Sequence, residues 1–240
     1  TPTFAQATRP ESSVEPAPYD SWYVDAGREP RDIVPGKQRE HVGGQWEEMG
    51  TLQLDFLRTH GLLPSSTLLD LGCGALRGGV KFISYLEPGH YYGIDVSPQL
   101  MQLGYSTELE PVQQQRLPPA NLYATGDYDA AHFGEKHFDY AISVSLWSHL
   151  PLSEIERCLS ALRRAMRPGG QYFTSLFVCH GAGCNRSMRH PSGVVTWPNN
   201  DPYHHSIDTI AEVAERLSLS FAYIGNWNHP RGQQMAKFTL

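Results

Sequence analysis

The sequence predicts an α/β fold, a doubly wound and mostly parallel sheet with helices on both faces. Short apolar runs alternate with segments of helical periodicity from about residue 67 to residue 217, the pattern of repeated strand–helix units. The first run, 67–71, is nearly all apolar and stops at Gly72-Cys73-Gly74, as suits a parallel strand covered on both faces. The last two runs, 219–224 and 234–240, flank a turn rich in Asn, His and Pro and read as an antiparallel hairpin.

Composition bounds the partners. A chain of 240 residues, 40% hydrophobic, can bury the core of one α/β domain. Its net charge is -6 and it has no basic run, which argues against nucleic acid as the main partner. No apolar segment approaches membrane-spanning length, and the first 30 residues lack an apolar signal core, so no membrane association is expected. Cys73, Cys158, Cys179 and Cys184 are scattered through a chain too large to need stapling; a reduced, cytoplasmic protein is expected.

Along the chain, residues 1–43 hold many Pro, Ser, Glu and Arg and read as a flexible arm. The aromatic run 19–23 inside it admits two readings, packing on the surface or closing as a lid. The domain proper spans 44–240. It begins with a cap helix, 45–60, carrying Trp46, Met49, Leu52, Phe56 and Leu57 near one face, and Gly61 and Pro64 end it. After the strand at 67–71, a helix from Gly78 carries Val80, Phe82, Ile83 and Leu86. The second strand, 91–94, ends in Asp95, and Ser97 with Pro98 can start the next helix. Pro111, Pro118 and Pro119 are expected to break the chain beyond that helix. Strands at 121–125 and 138–145, a helix at 151–166, a turn Arg167-Pro168-Gly169-Gly170 and a strand at 171–177 continue the alternation. A segment at about 178–205 is too long for an ordinary connection and is expected to overhang the sheet edge. A helix at 206–217 precedes the hairpin.

The glycine turn is where the chemistry starts. Strand, glycine turn and helix bring backbone N–H groups to a ligand at the mouth of a parallel sheet. A dinucleotide fingerprint is one reading, but Gly78 stands one residue late for its third glycine. A purely structural turn is another. Asp70, Asp95 and Asp127 each fall at the C-terminal edge of the sheet. A carboxylate after the second strand suits a ribose diol, and an acid after the third suits an adenine amino group.

Leu69-Asp70-Leu71-Gly72-Cys73-Gly74, Tyr92-Gly93-Ile94-Asp95-Val96-Ser97, Gly126-Asp127-Tyr128, the run from Phe138 to Ser145 and Arg167-Pro168-Gly169-Gly170 together resemble the motifs of class I S-adenosylmethionine-dependent methyltransferases. The resemblance covers roughly residues 44–177 and agrees with the terminal hairpin. It implies a Rossmann-like sheet of seven strands in the order 3-2-1-4-5-7-6, with an antiparallel C-terminal strand. It implies S-adenosylmethionine as cofactor and S-adenosylhomocysteine as product. The residues it places on the cofactor are Asp70, Gly72, Cys73, Gly74, Asp95, Val96, Asp127, Tyr128 and Ser145. The implied activity is methyl transfer to a small molecule, O-methylation ahead of N-methylation. A non-methylating binder of the same cofactor and an NAD-dependent oxidoreductase are the readings from other classes.

The acceptor side is less specified. His149 follows the fourth strand, where this family places acceptor-binding or catalytic groups, and an imidazole exchanges protons near neutral pH; the other reading is a histidine that holds its loop. Trp46, Trp147, Trp197, Tyr203 and His204 are the candidate pocket walls. Arg77 and Arg231 each admit an anion-binding reading and a surface reading. Cys179, His180, Cys184 and His190 match no standard zinc spacing, so no metal is expected.

Overall fold

The computed structural model describes residues 4–6, 33, 35–134 and 137–240. The aromatic run 19–23, and with it the choice between lid and surface arm, lies outside the described residues.

One sheet carries the fold. In chain order its strands are β1 (Ala5–Gln6), β2 (Leu68–Leu71), β3 (Tyr91–Asp95), β4 (Leu122–Ala124), β5 (Phe138–Ser143), β6 (Met166–Cys179), β9 (His204–Ser206), β10 (Ser220–Asn226) and β11 (Gln234–Thr239). They lie in the order β1-β4-β3-β2-β5-β6-β11-β10, with β9 also beside β6. The seven strands expected from the sequence therefore stand in the order 3-2-1-4-5-7-6, parallel except for β11, which is antiparallel to both β6 and β10. Two short strands are additional. Ala5–Gln6 extends the edge beyond β4, and β9 pairs in parallel with Phe177, Val178 and Cys179, just past the point where β11 leaves β6.

Alternation along the strands sorts side chains into two layers. Leu69, Ala141, Tyr172 and Phe238 face one core, shared with α6 (Leu152–Ala165) and α7 (Ile207–Arg216). Leu68, Ile142, Phe173 and Met235 face the other, shared with α2 (Trp46–Thr59) and α3 (Gly79–Tyr85). The apolar stripe of α6, Ile155, Cys158, Leu159, Leu162 and Ala165, is fully buried, as its spacing requires. A short helix α1 (Gln38–His41) leads into α2, and α4 (Pro98–Leu103) starts where Ser97 accepts the Leu100 N–H at 3.2 Å.

Three local expectations need correction. Pro111 does not break the chain but opens a helix, α5 (Pro111–Arg116). Proline is tolerated in a first turn, and the Gln113 side chain accepts the Glu110 N–H at 2.8 Å in a capping box. The long segment after β6 is not bare loop. It holds a 3₁₀ turn (Gly181–Asn185), a hairpin of β7 (Met188–Arg189) and β8 (Val195–Thr196), and β9. The 3₁₀ turn brings the Cα atoms of Cys179 and Cys184 to 5.1 Å, and the two are disulfide-bonded. They are not the reduced thiols expected, and as a disulfide they are not thiolate ligands. Cys73 and Cys158 are free and buried. Among the described residues, no helix is long and apolar enough to cross a membrane.

Candidate active site

A cavity of about 490 Å³ opens at the C-terminal ends of β2, β3 and β5. The turn after β2 forms its floor. Gly72 and Gly74 sit at φ 74° and 52°, a left-handed backbone that glycine adopts without strain. A side chain at Gly74 would press on Val42 at 3.1 Å. Asp95, at the end of β3, fixes this floor. One carboxylate oxygen accepts the Gly74 N–H and the other the Ser97 N–H, both at 2.8 Å. Burial raises its pKa above the usual carboxylate value, against the pull of those two bonds.

Asp70 lies beneath the same floor, 5% exposed, and accepts the Tyr91 hydroxyl at 2.8 Å. Burial pushes its carboxyl up to about 7, outweighing the Tyr91 hydrogen bond. Cys73 is buried against Gly93, and burial pushes its thiol well above the ordinary value. Val96 and Leu100 form one wall; Val144, Ser145 and Leu146 form the opposite one. Ser145 sits at φ 64°, its N–H held by the Ser175 hydroxyl at 2.8 Å.

His149 reaches the cavity from a 3₁₀ turn (Trp147–His149) after β5. Its Nδ1 is 2.5 Å from Asp201 Oδ1. The carboxylate is the more buried partner, 9% exposed against 34% for the imidazole. Asp201 comes from the segment after β6, which is tied to the same turn where the Tyr203 N–H donates to the Ser148 carbonyl at 2.7 Å.

Of the sequence-derived site residues, Asp70, Gly72, Cys73, Gly74, Asp95, Val96, Ser145 and His149 line this one cavity. Asp127 and Tyr128 are not in the lining. Asp127 is exposed at the end of β4, where its carboxylate accepts the Thr125 hydroxyl at 2.6 Å and the Asp129 N–H at 3.1 Å. Tyr128 is buried and its hydroxyl donates to Glu154 at 3.3 Å.

The expected aromatic walls are displaced. Trp147 is fully buried between Tyr172 and Phe238, so it supports the turn from behind. Trp46 packs with Ile33, Ala75 and Leu100, behind the glycine turn. His204 is buried and its Nδ1 is 2.7 Å from the Thr196 hydroxyl, because β9 draws it into the sheet. Trp197 and Tyr203 do not line the cavity either. Their segment bears on it through Asp201, which stands behind His149.

Gln53, His41, Arg77 and Arg231 also line the cavity, with less warning in the sequence. Gln53 had a signal: it interrupts the Met49–Leu57 stripe of α2 with a buried amide, 4% exposed. Arg77 Nη1 donates to the carbonyls of Val42 and Gly44 at 2.9 and 3.1 Å, and Arg231 Nη2 to the Gly43 carbonyl at 2.7 Å. Burial, and then Arg231, pull the Arg77 guanidinium down to about 10. Burial and the same two arginines push the adjacent His229 down to about 3, so its ring is neutral.

Comparison with known proteins agrees with this arrangement. Residues 69–172 match a family model described as a methyltransferase domain. The chain is 30% identical over 129 residues to the ubiquinone biosynthesis O-methyltransferase of Aromatoleum aromaticum, a match covering 53% of this chain and 51% of that protein. It is 26% identical over 172 residues to the 18S rRNA (guanine(1575)-N(7))-methyltransferase of Saccharomyces cerevisiae, covering 71% and 58%. The chain thus spans about half the length of the curated relatives it matches. Its fold superposes on magnesium protoporphyrin IX methyltransferase from Synechocystis PCC 6803 with a TM-score of 0.60, 16% identity, and coverage of 91% and 96%.

The match over residues 69–172 and the shared fold together make this chain similar to the class I, S-adenosylmethionine-dependent methyltransferases. The cofactor of this class is S-adenosylmethionine rather than a dinucleotide, and the cavity over Gly72–Gly74 fits it: a cradle kept open by two glycines, beside a carboxylate at the end of β3.

Proposed function

We propose that this chain methylates an oxygen of a small-molecule acceptor, with His149 as the general base. The observation that carries the reading is the His149–Asp201 pair on the cavity wall, at 2.5 Å. With Nδ1–H donating a hydrogen bond to the Asp201 carboxylate, Nε2 is left as the proton acceptor. Asp201 also holds the ring in one orientation and favours the imidazolium once a proton has been taken.

Bound S-adenosylmethionine supplies a methyl group already activated by its sulfonium. The chain's own residues then have three tasks. Asp95 accepts the ribose hydroxyls, and the Gly72–Gly74 turn allows close approach of the backbone. Asp127, exposed on the neighbouring strand end, meets the adenine edge from the rim. Val144, Ser145 and Leu146 position the acceptor between the donor and His149, which removes the hydroxyl proton as the new bond forms. Alignment supplies much of the rate in such a displacement, and deprotonation is what an oxygen acceptor needs beyond it.

A small-molecule acceptor is supported by the size of the cavity, by the charge of -6 and by relatives named for ubiquinone and magnesium protoporphyrin IX. The test is transfer from methyl-labelled S-adenosylmethionine to a panel of phenols and carboxylic acids beside a matched panel of amines. Label is expected on oxygen, and to be lost in His149→Ala while S-adenosylhomocysteine still binds. Transfer to amines alone, or an undiminished rate in His149→Ala, would refute the proposal.

A further inference from the structure

Two guanidiniums face the cavity with no carboxylate in contact among the described residues, and only the buried Asp70 acts on Arg77, at longer range. Arg77 follows the glycine turn and Arg231 comes from the turn between β10 and β11, yet they donate to consecutive carbonyls of one strap, residues 42–44. Among the described residues neither is ion-paired, whereas Arg39, Arg58, Arg157, Arg164, Arg167 and Arg216 each are. Each guanidinium has five N–H donors, and the strap carbonyls take one nitrogen of each. Their neighbour His229 accepts the Arg231 backbone N–H at 3.1 Å, leaving the guanidinium donors free of it, and adds no negative charge.

The charge balance of the filled cavity is unfavourable unless something anionic enters. The cofactor of the proposed reaction brings a sulfonium and an ammonium against one carboxylate, a net positive charge. That one carboxylate can satisfy one guanidinium. Asp95 and Asp70 are the acids of the lining, and burial favours the neutral form of each, pushing Asp70 up to about 7. Desolvated like charges without a counter-charge are costly.

We infer that the acceptor carries a carboxylate, and that Arg231, beside Arg77, is the residue that binds it. Arg231 is suited to the acceptor end rather than the donor end. Its turn runs into Gln233, whose side-chain oxygen accepts the hydroxyls of Ser175 at 2.5 Å and Ser145 at 3.4 Å, on the wall that also leads to His149. Arg77, close behind Gly74 in the chain, is the one placed for the donor. A planar fork bound to an anion gives orientation as well as affinity, so the same contact would turn the acceptor's oxygen towards His149. This inference rests on the methyltransferase reading above.

The test is calorimetry on the full chain saturated with S-adenosylhomocysteine. The probes are hydroxybenzoates and hydroxycinnamates, each beside its uncharged amide. At least one acid is expected to bind about tenfold or more tightly than its amide. The preference should fall below about threefold in Arg231→Gln and persist in Arg231→Lys, with the affinity for S-adenosylhomocysteine within about threefold of wild type in both. Acids that bind wild type no more tightly than their amides overturn the inference, whatever the variants do. So does a preference that survives in Arg231→Gln. Wild-type protein that takes up no S-adenosylhomocysteine refutes the methyltransferase reading instead, which keeps the two failures apart.

Discussion

Gly104→Ala sets two physical effects against each other, and the structure decides the sign. Gly104 has ordinary right-handed backbone angles, φ -56° and ψ -50°, at the end of α4. On helix propensity alone, alanine should stabilise by up to about 1 kcal/mol. A Cβ at this position, however, would lie 2.5 Å from the Ala75 carbonyl oxygen, 2.6 Å from its carbon and 3.0 Å from its Cα. Ordinary contact begins near 3.4 Å, so the two backbones must separate by roughly 1 Å, with no flexible side chain to absorb the shift. Overpacking of this kind costs about 1–3 kcal/mol and outweighs the propensity gain. Ala75 directly follows Gly74, so the displaced backbone is the cavity floor. Gly104→Ala is expected to lower Tm by roughly 2–8 °C in differential scanning calorimetry and to weaken S-adenosylhomocysteine binding in the same preparation. A variant with raised Tm, or with both quantities unchanged, would show that the close approach of α4 to the glycine turn is not real.

Other outcomes are set by the site and its surroundings. His149→Ala should slow methyl transfer by about 100-fold or more, and Asp201→Asn by roughly tenfold or more, with cofactor affinity nearly unchanged; equal rates in Asp201→Asn would remove Asp201 from the mechanism. Asp70 has a folded pKa of about 7 against an ordinary 3.8. The folded chain therefore binds more protons between those limits, and stability should decline as pH rises from about 4 to 7, by at most roughly 4 kcal/mol. Asp70→Asn should flatten that decline in Tm measured from pH 5 to pH 8; parallel curves would contradict the burial argument. The Cys179–Cys184 bond closes a loop of sequence separation 5, so its reduction should cost about 2 kcal/mol. Thiol titration of unreduced, denatured protein should find Cys73 and Cys158 alone; four reactive thiols would count against the bond.

Much of the fold was legible because its signals are local. Buried strands read as apolar runs, Ser97 read as a cap, and the glycine turn with Asp95 predicted a cavity that the structure forms. Most of the errors share a cause: they depend on residues far away in sequence. Nothing near Asp201 announces that it will meet His149, because the contact arises only when the segment after β6 folds back and β9 joins the sheet. The same return of chain buries His204. Trp147 could have turned either way from its 3₁₀ turn, and the space between Tyr172 and Phe238 took it inward. Pro111 misled because proline breaks a helix interior yet suits a first turn, and the capping contribution of Gln113 decided between them. Arg77 and Arg231 are separated by most of the domain, and only the fold makes them neighbours.

The most direct measurement is calorimetric titration of S-adenosylhomocysteine into wild type and Asp95→Asn. Wild type should bind one equivalent. Asparagine keeps the shape of Asp95 but removes the charge and turns an amide NH2 towards the Gly74 or the Ser97 N–H, so affinity should fall by about tenfold to a hundredfold and Tm should fall by roughly 2–8 °C as that N–H loses its acceptor. No binding by wild type, or equal affinity in the two proteins, would contradict a donor site built on the glycine turn and the carboxylate at the end of β3.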